Sequence, residues 1–399
     1  MPNVNPEVLE WARATAGLSH DDAAAALSLS SPDKLHAIEA GREFPSRPLL
    51  LRMSKVYRRS LLTLYLSHPP SKGNRGQDFR TLPPNYTEKA EALVDALIRD
   101  VQSRQDLVKA TLLEEEEHSP LPYIASCSIK AGRDSVVKSI TQTLQFDLAT
   151  YRAARTADDA FTYLRTTAEE AGIFVLLIGN LGSHHTAIPV EVFRGFAIAD
   201  PIAPFVVIND QDSKTAWSFT LLHELAHLWL GTTGVSGSRA EQEIEQFCND
   251  VSGETLVPGE DIQKFVVDPQ WSDDETIANL ANFANDRHVS RQMLAYKLYR
   301  HGMLSRDNWG RLDQRIKELW IEERIRRKAQ DKGKKSTGPD YYVIRRHRLG
   351  RALLKFASRC VDGGTLSVAK AAHVLGVKPR SLYPLLTDIP GSPSSTGAK

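Results

Sequence analysis

Apolar positions recur at helical spacing along most of the chain. Residues 6–16 place Val8, Leu9 and Ala12 on one face. Ser19 opens a second segment, with Asp22 three residues on in a near capping box and an alanine-rich run to Leu27. Ser30-Ser31-Pro32 reads as a third helix start; that helix carries Leu35 and Ile38 and ends at Gly41, a C′ glycine. Residues 49–66 repeat Leu50, Met53, Tyr57, Leu61 and Leu64 at the same period, predicting one long helix. Residues 87–107 and 136–164 are the clearest helical runs that follow. The pattern then changes. Residues 172–178 form a continuous apolar run rich in β-formers, 196–199 a short one, and 204–209 a third, so three strands are expected. Helical periodicity returns over 216–230 and 239–253. A small sheet beside several helices predicts an α+β arrangement, helical over most of its length.

Three stretches read as linkers or tails: 69–76, 329–339 and 390–399, each rich in Pro, Gly, Ser or Lys. No repeat of solenoid period is present. With 399 residues, 41% hydrophobic and 25% charged, the chain has material for two or three globular cores and is neither wholly disordered nor collagen-like. No apolar run reaches the roughly 18 residues that a membrane span needs, and the first residues lack a signal-peptide pattern. The three cysteines are too few for a disulfide framework and fit a reducing, cytoplasmic setting. Net charge is +1, but residues 305–399 hold 21 Lys and Arg against 9 Asp and Glu, leaving the preceding part at −11. This asymmetry hints at an anionic partner for the basic end and is also what solvated helix faces produce.

The sharpest chemical signal is His223-Glu224-Leu225-Ala226-His227. On a helix, positions four apart share a face, so both imidazoles reach one metal ion and the intervening Glu224 can hold and deprotonate a water. The flanking residues are apolar, and a polar trio on a buried helix calls for a reason such as a metal. A third ligand is expected from the next helix, where Glu241, Glu243 and Glu245 are the candidates. Glu245 shares a face with Asn249, which can orient a ligand, and Glu241 lies on that face too. Cys248 reads as a small buried hydrophobe, and His184-His185 as part of a Gly/Ser-rich loop.

These residues resemble the ImmA/IrrE family of zinc-dependent metallopeptidases. The resemblance runs over about residues 170–300. It takes in Val192-Phe193-Arg194-Gly195-Phe196, Ala203 to Asn209, Phe219 to Leu228, Glu245-Gln246-Phe247-Cys248-Asn249 and Leu256-Val257-Pro258. It implies a zincin-like core over 170–304, zinc on His223, His227 and Glu245, and Glu224 as catalytic base; manganese and iron suit the same ligands. Many members carry Ala-Asn-x-Phe-Ala where this chain has Cys248-Asn249-Asp250-Val251-Ser252. Both Glu243 and Glu245 precede it, so the third ligand stays open between them. Residues 1–68 resemble the Xre-type helix–turn–helix domains of phage repressors, with residues 32–40 as the recognition helix and Lys34, His36 and Arg42 as candidate DNA contacts. The glutamines that often begin the second and third helices of that domain are absent here. Residues 69–169 then form a helical intermediate region, 305–390 a basic helical C-terminal domain, and 391–399 a disordered tail. Two further segments look helix–turn–helix-like, 289–293 and 366–377.

The resemblance implies a metalloendopeptidase that cuts a helix–turn–helix repressor and relieves repression, with DNA as a further partner of residues 1–68. The alternative is a DNA-binding regulator whose metal domain senses without cleaving. Glu224 separates the two, since a sensor has no need of a general base. A closed structural zinc site would need a fourth protein ligand, and the sequence offers none.

Overall fold

The computed structural model describes residues 4–70, 88–115, 119–183, 186–231, 239–268, 270–331 and 340–387. Two compact units emerge: Met1–Ser103 with Gly179–Phe193, and Arg104–Ile178 with Arg194–Lys399.

In the first unit, α1 (Pro6–Ala14), α2 (His20–Ala26), α3 (Pro32–Glu39) and α4 (Arg47–Val56) are short helices with local start signals. Asn5, Ser19 and Ser46 cap α1, α2 and α4 by accepting from backbone N–H groups, and Pro begins α1 and α3. Gly41, with φ +70°, ends α3 in the left-handed region as expected. The helices close on Leu9, Leu27, Leu35, Ile38, Met53, Tyr57 and Leu64. Inside this bundle Glu39 accepts from Arg13 at 2.9 Å and faces His20 at 2.9 Å, tying α1, α2 and α3 together. The run 49–66 is not one helix. α4 stops at Val56, Arg58 turns left-handed (φ 51°), and a separate 3-10 turn covers Leu62–Tyr65. Ser54 Oγ donates to Arg59 O at 2.6 Å and Ser60 Oγ accepts from Thr63 N–H, so local hydroxyls take over the backbone groups that a continuing helix would have used.

Next, α5 (Glu88–Glu114) crosses from the residues of the first unit to those of the second. α6 (Arg133–Leu144), α7 (Leu148–Arg152) and α8 (Ala157–Glu170) replace the single helix expected over 136–164. Gln145 is left-handed (φ 50°), Asp147 caps α7 through Thr150 N–H, and Thr156 caps α8 through Asp159 N–H. Two cap residues inside an otherwise periodic run therefore divide it.

Three strands follow the predicted positions: β1 (Phe174–Leu177), β2 (Gly195–Ile198) and β3 (Phe205–Ile208). Their order is β1-β3-β2, with β1 parallel to β3 and β2 antiparallel to it. Every residue of β1 and β3 is buried, as continuous apolar strands covered on both faces require. Against the sheet packs α9 (Lys214–Leu230), followed by α10 (Arg239–Leu256), α11 (Gly259–Ile262), α12 (Asp273–Asn285), α13 (Arg291–Arg300) and the long α14 (Arg306–Asp331). The chain ends in α15 (Tyr341–Leu349), α16 (Arg351–Asp362), α17 (Val368–Val374) and α18 (Leu382–Leu386); α15 and α16 lie against β1. Among the described residues no helix is long and apolar enough to cross a membrane. Residues 71–76 of the first expected linker, 332–339 of the second, and the tail from 390 lie outside the described residues; Ala329 to Asp331 complete α14.

The core of the second unit is built around α9. Trp229 is fully buried, stacks on Tyr123 at 4.5 Å and donates from Nε1 to Ser139 Oγ at 3.0 Å. The last carbonyls of α9 are not left orphaned: Ala125 N–H donates to Leu228 O and Cys127 N–H to Trp229 O, both at 2.9 Å. Gly231 (φ +59°) then ends the helix in a conformation that a side chain resists. At the other end Trp217 meets Phe161 edge-on at 5.3 Å, so both ends of the rod that carries the central motif are fixed to the core.

Candidate metal centre

Twelve of the seventeen residues of α9 are buried, including Glu224 and His227. The helix runs apolar nearly all round; His223 and His227 face α10, whereas Thr220 and Glu224 lie under Gly195 of β2. His223 Nε2 and His227 Nε2 stand 3.0 Å apart. From α10, Glu245 brings one carboxylate oxygen to 3.2 Å from His223 Nε2 and the other to 3.3 Å from His227 Nε2. Burial works to raise the Glu245 carboxyl, but hydrogen bonds and charge from the two imidazoles hold it well below the usual carboxylate range.

These three side chains form the one His/Cys/Asp/Glu group of metal-binding geometry among the described residues. The donor set suits a cation: two imidazole nitrogens aimed at one another, with a carboxylate facing both. An ion held tetrahedrally at about 2.0–2.1 Å separates its ligand atoms by about 3.3 Å, close to the three observed edges. The side chain of Glu245 is 40% exposed, those of His223 and His227 14% and 6%, so the group is reached from the Glu245 side.

The other acidic candidates separate cleanly. Glu243 is exposed and stands outside the group, and the side chain of Glu241 lies outside the described residues. Cys248 is buried in the core, and burial pushes its thiol up, away from the thiolate a metal needs. His184 and His185 lie outside the described residues. Arg194 is more than half exposed on its side chain and 3.9 Å from Asp212. In the first unit, Lys34 and Arg42 are exposed, whereas His36, also exposed, stacks its ring on His20 at 3.6 Å.

Two features of the site carried no sequence signal of their own. Gly195, the first residue of β2, passes directly over Glu224. A methyl group there would meet Glu224 Oε1 at 2.8 Å and Thr220 Cγ2 at 2.7 Å. Gly195→Ala is therefore expected to displace the Glu224 carboxylate and lower the rate of any reaction it assists by about 10- to 100-fold. Metal content should stay that of the parent chain, and parallel metal and rate measurements check both halves. The second feature is a cavity of about 130 Å³ one helical turn from the triad. Phe219, four residues before His223, and Asn249, four after Glu245, form part of its wall; Arg133, Lys297 and Arg300 add cations beside Asp250, and burial favours the neutral form of His301 there. Lys297 is buried against Glu254 at 2.7 Å, and Arg300 pairs with Asp250 at 2.9 Å. Asn249 thus faces this cavity beside the triad. Residues drawn from α6, α9, α10 and α13 leave no local pattern in the sequence.

Residues 169–299 match the IrrE N-terminal-like domain of the peptidase M78 family. Residues 7–63 match a helix-turn-helix domain. Comparison with curated proteins and with solved structures finds no match. The M78 match covers β1 to α13 and so encloses the whole His223–His227–Glu245 group. A peptidase M78 domain joined to a helix-turn-helix domain is the composition of a regulator with a metallopeptidase-like domain.

Proposed function

We propose that this chain is a zinc-dependent endopeptidase that hydrolyses one peptide bond in a helix–turn–helix repressor and so relieves repression. The observation that carries the reading is the convergence of two imidazoles and one carboxylate beside a buried glutamate on the same helix. His223, His227 and Glu245 would hold the metal, and three protein ligands rather than four are the set of a catalytic rather than a structural site. Zinc prevails over manganese or iron because two nitrogens and one oxygen in near-tetrahedral spacing suit it. When bound, zinc supplies a Lewis acid for the scissile carbonyl and acidifies a water.

Glu224 is the residue that would take a proton from the attacking water and deliver it to the departing amide nitrogen. Gly195 keeps the carboxylate in place by presenting no side chain to it. β2 is an edge strand of the sheet, and the substrate backbone adds alongside it as a further strand, bringing the scissile bond past α9. The neighbouring cavity receives a substrate side chain. Lys34, His36 and Arg42 of the N-terminal domain contact DNA, which raises the local concentration of the enzyme around a DNA-bound repressor. All these groups act in the cytoplasm, where the three cysteines stay as thiols.

The test is direct. The zinc-loaded chain is incubated with purified helix–turn–helix repressors, and the products are read by intact mass. One defined cut, with loss of operator binding by the cleaved repressor, is the expected result. Repressors and unrelated peptides that all survive intact would overturn the reading.

A further inference from the structure

The C-terminal end of the chain holds a feature that the proposed peptidase leaves unused. Ser367 caps α17 by accepting from Lys370 N–H. Leu375-Gly376-Val377-Lys378 then turns the chain, with Gly376 left-handed at φ +59°, into a 3-10 turn, Pro379–Ser381, that runs on as α18. Two short helices joined by a turn of about four residues that includes a glycine form a helix–turn–helix. Its inner face is closed by Ala371, Ala372, Val374, Leu375, Leu382 and Leu385, all buried. Arginines of α15 fix it from behind. Arg345 Nη2 donates to Gly376 O at 2.6 Å, and Arg346 donates to Pro384 O at 2.8 Å and Thr387 O at 2.6 Å. The turn and the end of α18 are thus held by cations committed to backbone carbonyls.

The outer face is different. Lys370, Lys378, Arg380 and Tyr383 are exposed. None of the three cations has an ion-pair partner among the described residues, whereas Arg348 pairs with Asp210 and Arg359 with Glu115 nearby in sequence. From Gly363 to Thr387 the chain has no acidic residue at all. A buried apolar face and an outer face of unpaired cations give a rigid, positively charged pair of helices. The start of the second helix, where Lys378 and Arg380 stand, is the part that reaches base edges when such a unit enters the major groove.

We propose that residues 368–386 form a second DNA-binding helix–turn–helix, independent of the one at the N-terminus, with duplex DNA as its ligand. Lys378 and Arg380 meet the phosphates that line the groove, and Lys370 on the first helix meets the phosphate backbone beside them. Cations on a preformed helix pair match a phosphate backbone of regular shape. The site is built on α17 and α18 and is separate from the metal ligands, so it stands whether or not the chain cleaves peptides.

The experiment uses the full chain and a random-sequence DNA duplex, with binding measured by fluorescence anisotropy across a salt series. A charge-matched control replaces Lys317 and Arg326 of α14. Lys378→Gln/Arg380→Gln is expected to weaken binding about tenfold at moderate salt and to reduce the salt slope by about two, as loss of two phosphate-neutralising charges requires. The melting temperature should be unchanged, because both side chains are exposed and have no ion-pair partner among the described residues. Lys317→Gln/Arg326→Gln should leave affinity as it was. No DNA binding by the parent chain, equal loss in the control, unchanged binding in the double variant, or a preference for RNA of the same length would each overturn the assignment.

Discussion

Glu224→Gln is expected to cut the rate of peptide hydrolysis by about 10²- to 10⁴-fold while the chain keeps its full complement of metal. The substitution preserves size and shape, exchanges one acceptor oxygen for an NH2 donor, and removes the ability to take up a proton. Glu224 is only 3% exposed, on a helix packed into the core, and the bare backbone of Gly195 leaves room for its carboxylate that a methyl group there would take. An amide of the same size fits that space without rearrangement, so a large loss of rate reports chemistry rather than a collapsed site. The ligand atoms belong to His223, His227 and Glu245, so metal per chain should match the parent. Initial rates on a cleavable repressor and metal analysis of the same preparations check the two halves together. Because the proton transfer belongs to the chemical step, the loss should fall in kcat with KM little changed. Cleavage at the parent rate by the Gln variant would remove Glu224 from the mechanism.

How much of this was legible in the sequence differs from element to element. The spacing of His223 and His227 needs only the pitch of a helix to bring the two nitrogens together, and the structure places them 3.0 Å apart. β1 and β3 were legible because continuous apolar runs have few other uses, but their order with β2 between distant segments was not, since strand pairing is non-local. The runs 49–66 and 136–164 read as single helices because periodicity survives across a break. Arg58 and Gln145 adopt the left-handed region without a glycine to announce it, and Asp147 and Thr156 act as caps only where the chain has already turned. The third acidic group was open for a related reason. Glu241, Glu243 and Glu245 sit on one helix, and its rotation is set by what it buries. Cys248, Val251 and Ser252 turn inward, which carries Glu245 to the edge facing α9 and leaves Glu243 in solvent. The cationic wall of the neighbouring cavity was beyond reach altogether, because Arg133 and Arg300 meet there from opposite parts of the chain.

That rotation of α10 makes a sharp prediction. Glu245→Ala should weaken metal binding by more than about 100-fold, beyond the loss that follows from disturbing groups that only support the ligands. Glu243→Ala should bind metal as the parent does. The two positions differ by two residues on one helix and carry the same charge, so long-range electrostatics would weaken both variants alike, whereas direct coordination distinguishes them. Competition against a chromogenic chelator measures both affinities. Stability supplies an independent readout: a ligand that binds only the folded state adds about 4 kcal/mol when present at about 1,000 times its Kd. Excess zinc should therefore raise the melting temperature of the parent and of Glu243→Ala by similar amounts, and that of Glu245→Ala much less. Chelation should reverse the shift in the first two and abolish cleavage with it. If Glu243→Ala lost the metal and Glu245→Ala kept it, the packing of α10 against α9 would have to differ in solution by nearly half a helical turn, which the burial of Cys248 and Val251 opposes. The identity of the third ligand and the orientation of α10 are thus one question, decided by the same pair of variants.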